Sequence, residues 1–251
     1  MRRPKPRMAT RRGSTGKIAW FRVISAGVML LLCAVILYQL WLFCMVVWYA
    51  HRNPGSSSVM RQELARLQET DPKARLRFEW VDYDHISNSL KRAVIASEDA
   101  NFTDHDGVEW EAMRKAWEYN QEQAEMGRSR MRGGSTITQQ VAKNLFLSGS
   151  RTYLRKGQEL ILAYMIEWVM PKRRILEIYL NIAEWGVGVF GAQAAAEHYY
   201  RTGAARLSAA QAARLAAMLP NPRYYDKRGV TAYLSRRTAI LLRRMQQVEI
   251  P

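Results

Sequence analysis

Residues 160–181 read Leu160-Ile161-Leu162-Ala163-Tyr164-Met165-Ile166-Glu167-Trp168-Val169-Met170-Pro171-Lys172-Arg173-Arg174-Ile175-Leu176-Glu177-Ile178-Tyr179-Leu180-Asn181, and this stretch sets the fold class. Residues 160–170 are largely apolar and stop at Pro171, where a missing N–H and a fixed φ suit a break between helices. A second helical period follows, with Ile175, Leu176, Tyr179 and Leu180 on one face. Working outward, Ser87 is placed to cap a helix carrying Leu90, Val94 and Ile95, and Ser208 with Gln211 makes a capping box before an Ala-rich helix. That helix ends at Leu219-Pro220-Asn221-Pro222. Only Phe78, Trp80 and Val81 suggest extended backbone, and no repeat is present. The expectation is a mainly α domain over residues 76–251.

Upstream, residues 23–50 contain 28 positions without a charge. At about 1.5 Å per residue they outreach a hydrocarbon core of roughly 30 Å, which predicts a single N-terminal transmembrane helix. Trp20, Phe21, Trp48 and Tyr49 flank it as interfacial aromatics do. The segment is long and lacks a small-x-small cleavage site, so it reads as a retained anchor. Residues 51–75, which include Asn53-Pro54-Gly55-Ser56-Ser57-Ser58, read as a linker and short stalk helix.

The formal charge of +16 suggests a nucleic-acid binder until it is divided. Residues 1–22 hold eight Lys or Arg and no acid, so half the excess is a basic tail beside the span. The positive-inside rule then puts the tail in the cytoplasm and exports the rest, which removes nucleic acid as a partner. Cys33 and Cys44 both lie in the span, roughly 16 Å apart along it, beyond disulfide reach. The four histidines (His51, His85, His105, His198) show no ligand spacing, so no metal site is expected.

Residues 126–158 carry no carboxylate but seven cations: Arg128, Arg130, Arg132, Lys143, Arg151, Arg155 and Lys156. Such runs are commonly solvated faces. Within this one, Gly133-Gly134-Ser135-Thr136-Ile137-Thr138-Gln139-Gln140 offers backbone N–H groups, hydroxyls and amides ahead of Lys143, the equipment for phosphate oxygens. It lacks the Gly-Lys-Ser/Thr of a nucleotide loop. Acids flank the run. Glu98 ends the Ser87 helix beside Asp99, where a helix C-terminus and a second acid disfavour a carboxylate's charged form and suit a general base. Glu159 follows Arg155 and Lys156 and opens the apolar helix, where it could equally serve the helix N-terminus.

Taken together, the spaced blocks resemble the five motifs of the peptidoglycan glycosyltransferase family in its monofunctional, membrane-anchored form. They are Glu98 to Gly107, Gly133 to Gln140, Arg155 to Glu159, Lys172 to Asn181, and the weaker Arg237 to Met245, in order over about 150 residues. The resemblance implies a lysozyme-like helical fold with a cleft. It also implies an enzyme of the bacterial inner membrane, catalytic domain periplasmic, that elongates glycan strands from lipid II and releases undecaprenyl diphosphate. Glu98 would be the base for the acceptor 4-hydroxyl, and Glu159 the second catalytic acid or an orienter of cations. Lys143, Arg151, Arg155 and Lys156 would meet the diphosphate. Asp99, Phe102 and His105 would shape the cleft, and Ser135, Thr136, Gln139 and Gln140 would line it. Ile175, Leu176, Tyr179 and Leu180 are expected to hold the fold. Gln158 stands where some members have Lys, which removes one donor-side charge.

The implied partners are lipid II, the growing strand, membrane lipids and other cell-wall synthesis or division proteins. No cofactor is required, although a divalent cation such as Mg or Mn beside the diphosphate is chemically compatible. Only 70 residues follow Asn181 and continue the helical pattern, so no transpeptidase domain is expected; Ser14-Thr15-Gly16-Lys17 resembles an acylation motif but lies in the basic tail. A lysozyme-like hydrolase or lytic transglycosylase would need Glu98 protonated and leaves the cations unused. A non-catalytic binder of anionic polymers leaves the five blocks unexplained.

Overall fold

The computed structural model describes residues 15–128, 133–147, 149 and 152–251. It forms two compact units, Met1–Met45 and Val46–Pro251. Helix α1 (Thr15–His51) begins in the first and ends in the second. Its stretch Arg22–His51 is the one helix among the described residues long and apolar enough to cross a membrane. Leu30, Leu31, Ile36 and Leu37 are exposed along it, as suits a helix solvated by lipid, and the span fits a membrane anchor.

The second unit contains the remaining ten α-helices among the described residues. Residues 51–75, expected to be linker and stalk, carry α2 (Ser58–Gln68), which the Ser57 hydroxyl caps by accepting the Met60 N–H at 3.1 Å. Glu63 on α2 is 2% exposed and pairs with Arg66 at 2.7 Å and Arg223 at 2.8 Å, so this helix is packed wall in the unit. Its sequence looked solvated because a buried acid with two arginine partners has the composition of an exposed one.

Helix α3 (Asn88–Glu98) starts at Ser87, whose hydroxyl accepts the Leu90 N–H. Helix α4 (Trp110–Glu125) follows the motif loop, and α5 (Ile137–Phe146) opens with a capping box made by Thr136 and Gln139. Next come α6 (Tyr153–Val169) and α7 (Lys172–Ile182), split at Pro171 as the opening stretch predicts. Helices α8 (Ala192–Tyr200), α9 (Ala209–Met218), α10 (Pro222–Arg228) and α11 (Ala232–Arg244) complete the set, α9 with the Ser208–Gln211 capping box. Both α3 and α11 pack on α9, and α5 packs on α6 and α7. The contact faces are fully buried Leu90, Val94, Val141, Leu162, Ile166, Leu176 and Leu215, each contributing roughly 1.5–3 kcal/mol of apolar burial.

A small sheet, foreseen only at Phe78, joins β1 (Arg77–Phe78), β2 (Glu184–Gly186) and β3 (Val189–Phe190) in the order β1-β3-β2. Strand β1 runs parallel to β3, and β2–β3 is a bulged antiparallel hairpin. Strands of two or three residues are too short to show a period of two. Nearby, the wholly buried Asn181 accepts the Val81 N–H and donates to the Val81 carbonyl, both at 2.9 Å. The α1 end is held inside the second unit by Arg174, which donates to the carbonyls of Tyr49 and Arg52 that a helix terminus leaves unpaired.

Candidate active site

Glu98 is the last residue of α3, because Asp99 leaves helical geometry at φ −162° and ψ 77°. The half-buried Glu98 carboxylate accepts the Ser97 hydroxyl on Oε1 at 3.0 Å and the Gln140 Nε2 of α5 on Oε2 at 3.1 Å. Asp99 points elsewhere. It is 5% exposed and accepts the Ile137 N–H at 2.9 Å, in the first turn of α5, where a helix dipole favours an anion. His105 supplies a second bond to it, at 2.9 Å from Nε2. The Gly107 N–H donates to His105 Nδ1, so the ring proton sits on Nε2 and faces Asp99.

The rest of the first motif is scaffold around that contact. Phe102 is fully buried, edge-on to His105, with the Lys172 ammonium 4.7 Å from its ring centre. Lys172 pairs with Glu167 at 2.8 Å and donates to the His105 carbonyl, and Glu167 also accepts the Thr138 hydroxyl. Gly107 has φ +84°, and a Cβ there would lie 2.5 Å from Glu167 Cγ, so both backbone and space demand glycine. Gly134 is required by proximity alone: its Cβ would fall 2.9 Å from the Met113 Cα of α4.

Beside Gln140 lies a cavity of about 480 Å³ whose walls include Ser135, Gln139, Gln140, Lys143, Arg155, Lys156, Glu159 and Tyr179. Arg155 and Lys156 both pair with Glu159, at 2.7 and 2.5 Å, and Lys156 donates to the Ser135 hydroxyl. Glu159 is 3% exposed, so its two oxygens are fully committed to those cations. Burial holds the Lys143 ammonium below the ordinary lysine range; Glu159 opposes the shift, and Arg155 and Lys156 add to it. With three cations around one acid, the wall carries a positive surplus ready for an anion.

Divalent metal fits poorly on this wall, since Glu159 has no oxygen left for an ion that wants several. The fold does bring Asp99, His105 and Glu109 together with ligand atoms within 4.8 Å, a trio that spacing along the chain did not reveal. There the His105 nitrogens are already one acceptor and one donor, and Glu109 accepts from Asn101 at 2.7 Å.

The sequence profile of the transglycosylase family matches residues 62–246. A Bordetella pertussis protein named biosynthetic peptidoglycan transglycosylase is 74% identical over 235 residues, covering 94% of this chain and 97% of its own. Proteins of the same name from Bordetella avium and Chromobacterium violaceum are 70% identical over 233 residues and 52% over 231, covering 93% and 92% of this chain and 97% and 98% of their own. The chain belongs to the transglycosylase family.

In this transglycosylase the expected site residues divide into two groups. Glu98, Ser135, Gln140, Lys143, Arg155, Lys156 and Glu159 form the cavity wall or bond directly to it. Asp99, Phe102 and Thr136 are buried structural members and His105 is a partly buried one; the Thr136 hydroxyl donates to the Gly107 carbonyl at 2.6 Å. Gln139 does both: its Oε1 accepts the Thr136 N–H in the capping box, while its buried Nε2 has no partner among the described residues. Arg151 lies outside the described residues. Sequence reasoning missed Tyr179, which donates to Gln140 Oε1 at 3.2 Å, and Arg237, which donates to the Ser97 hydroxyl at 3.1 Å. The available signal was a hydroxyl on an otherwise aliphatic helix face, since a buried phenol needs a partner. It also missed Glu184 of β2, whose carboxyl is raised by burial against the pull of Arg223 at 2.7 Å.

Proposed function

We propose that this chain is a peptidoglycan polymerase that joins the disaccharide-pentapeptide units of lipid II into glycan strands. Glu98 takes the proton from the acceptor 4-hydroxyl while that oxygen bonds to the donor's anomeric carbon. The bond from that carbon to the diphosphate oxygen breaks, and undecaprenyl diphosphate departs as an anion. A diphosphate leaves without being protonated, so the site needs cations on the donor side in place of a general acid. Lys143, Arg155 and Lys156 take that role, with Glu159 aligning the last two.

The observation that carries this reading is the single helix α5, which brings the Gln140 amide to Glu98 and Lys143 to the cation wall, one turn apart. A hydrolase would use the same carboxyl as a protonated acid and would leave the cation wall of Lys143, Arg155 and Lys156 without a task. Purified full-length protein given labelled lipid II, and separately intact sacculi, tests the choice. Long glycan products are expected from the first and no soluble fragments from the second; the reverse would establish a hydrolase.

For the remaining organisation we propose a cytoplasmic tail (1–22), an inner-membrane span (23–50) and a periplasmic catalytic domain (76–251), with residues 51–75 joining them and α2 packed as part of that domain's wall. The prenyl tail keeps the substrate in the bilayer, so a cleft held at the membrane meets it without a search through bulk solvent. Trp117, Tyr153, Leu154 and Trp168 are at least 60% exposed on α4 and α6, and Trp110 donates to the Tyr164 hydroxyl to join those helices. This apolar face suits contact with lipid.

A further inference from the structure

We propose that Tyr179 and Arg237 are positioning residues that hold Glu98 from its two sides, Tyr179 through Gln140 and Arg237 through Ser97. The proposal rests on Glu98 being the base. It adds what keeps that base aimed, in two residues otherwise read as fold and as weak motif.

A carboxylate at a helix end, followed by a residue that leaves helical geometry, has only the adjacent Ser97 of its own helix to fix its torsions, and general-base catalysis needs placement to within a fraction of an ångström. One arm reaches Oε2. Ionised Glu98 can only accept, so Gln140 must turn its NH₂ toward it, which points Gln140 Oε1 the other way. There the Tyr179 hydroxyl donates to it. Were the amide to flip, carbonyl would face carboxylate. Tyr179 supports the unflipped amide because its phenol, its ionisation pushed far up by burial and by the nearby charges of Glu98 and Asp99, keeps a proton to donate to the Oε1 that faces it. It is 2% exposed and fixed on α7, so the orientation is transmitted from the core.

The second arm reaches Oε1. Ser97 has one hydroxyl proton, and it lies between Glu98 Oε1 at 3.0 Å and the Ala216 carbonyl of α9 at 3.1 Å. Arg237 of α11 donates Nη2 to the Ser97 oxygen at 3.1 Å, which occupies the lone-pair side and leaves the proton facing Glu98 and Ala216. The Arg237 side chain is partly buried, and its Nε is enclosed without a partner among the described residues. Four helices, α5, α7, α9 and α11, thus converge on one carboxylate at the end of α3.

Lipid II polymerisation by the full-length protein in detergent, read as kcat and KM, tests this. Tyr179→Phe keeps the ring and loses only the hydroxyl; it should lower kcat about tenfold with KM within about twofold, since the loss falls on the reacting geometry. Arg237→Met should do likewise. The decisive measurement is coupling: Tyr179→Phe combined with Gln140→Met should be no slower than Gln140→Met alone, and Arg237→Met with Ser97→Ala no slower than Ser97→Ala alone. Multiplied losses in both pairs, or a Tyr179→Phe kcat within twofold of the parent at unchanged Tm, would overturn the proposal. Glu98→Gln run alongside separates the two ideas. Near-parent turnover there removes the base itself, whereas its loss beside an unaffected Tyr179→Phe removes only the clamp.

Discussion

Replacing Glu159 by Gln removes the acid at the centre of the cation wall while preserving its shape. The side chain is 3% exposed, and it faces Arg155 at 17% and Lys156 at 33% side-chain exposure. Breaking a buried ion pair by removing one partner costs about 3–5 kcal/mol, because the other charge stays buried and uncompensated. Lys156 is a third exposed and partly rescued by water, so the Arg155 contact dominates and the lower figure, about 3 kcal/mol, applies. For a unit of this size that corresponds to a Tm fall of roughly 6–12 °C. The assay is thermal unfolding of the full chain in detergent, followed by circular dichroism. Inorganic pyrophosphate should raise the variant's Tm by more than the parent's, since the wall has lost the acid that competes with it. A Tm within about 2 °C of the parent, or equal pyrophosphate shifts, would refute the picture of Glu159 as counter-ion to a diphosphate wall.

Four further outcomes are expected. Gly107→Ala combines an unfavourable φ with a contact on Glu167 and should cost at least about 1–3 kcal/mol, measured by chemical denaturation; an unchanged midpoint would remove the constraint assigned to that loop. Donor affinity should fall as pH rises through the lowered Lys143 range, because the neutral amine no longer meets the diphosphate, and Lys143→Arg should move that fall to higher pH. The same shift affects stability: the folded pKa lies below the unfolded one, so the unfolded chain binds more protons and stability rises with pH between the two values, a rise that Lys143→Met should flatten in pH-dependent denaturation. Finally, in vesicles carrying brominated lipid, Trp168 at 80% exposure should be quenched; equal quenching in the parent and in Trp168→Phe would place that face away from lipid.

Much of the helical framework was legible because its signals are local. Ser87 and the Ser208–Gln211 box act on neighbouring N–H groups and Pro171 through its own missing N–H, and each terminates or starts a helix as read. The hairpin at Glu184–Phe190 was not legible, since its strands are too short for alternation and rest on contacts with distant β1. At the site, charge distribution exposed the wall of Lys143, Arg155 and Lys156, and the resemblance gave Glu98 and Asp99 different roles for which only the fold supplies the physical reason. Adjacent in sequence, they face different partners because the chain leaves the helix between them. Thr136 and Gln139 illustrate the opposite confusion: residues read as cleft lining were in part the chemistry of a helix start. Tyr179 and Arg237 escaped because their partners, Gln140 and Ser97, lie 39 and 140 residues away.

Glu98→Gln in the full-length protein, assayed with labelled lipid II, tests the central claim most directly. The substitution keeps the size and much of the hydrogen bonding of the side chain and removes its capacity to take a proton. Loss of polymerisation by at least about 10²-fold, with Tm near the parent's, is the expected result. Strands formed at near-parent rate would contradict the account.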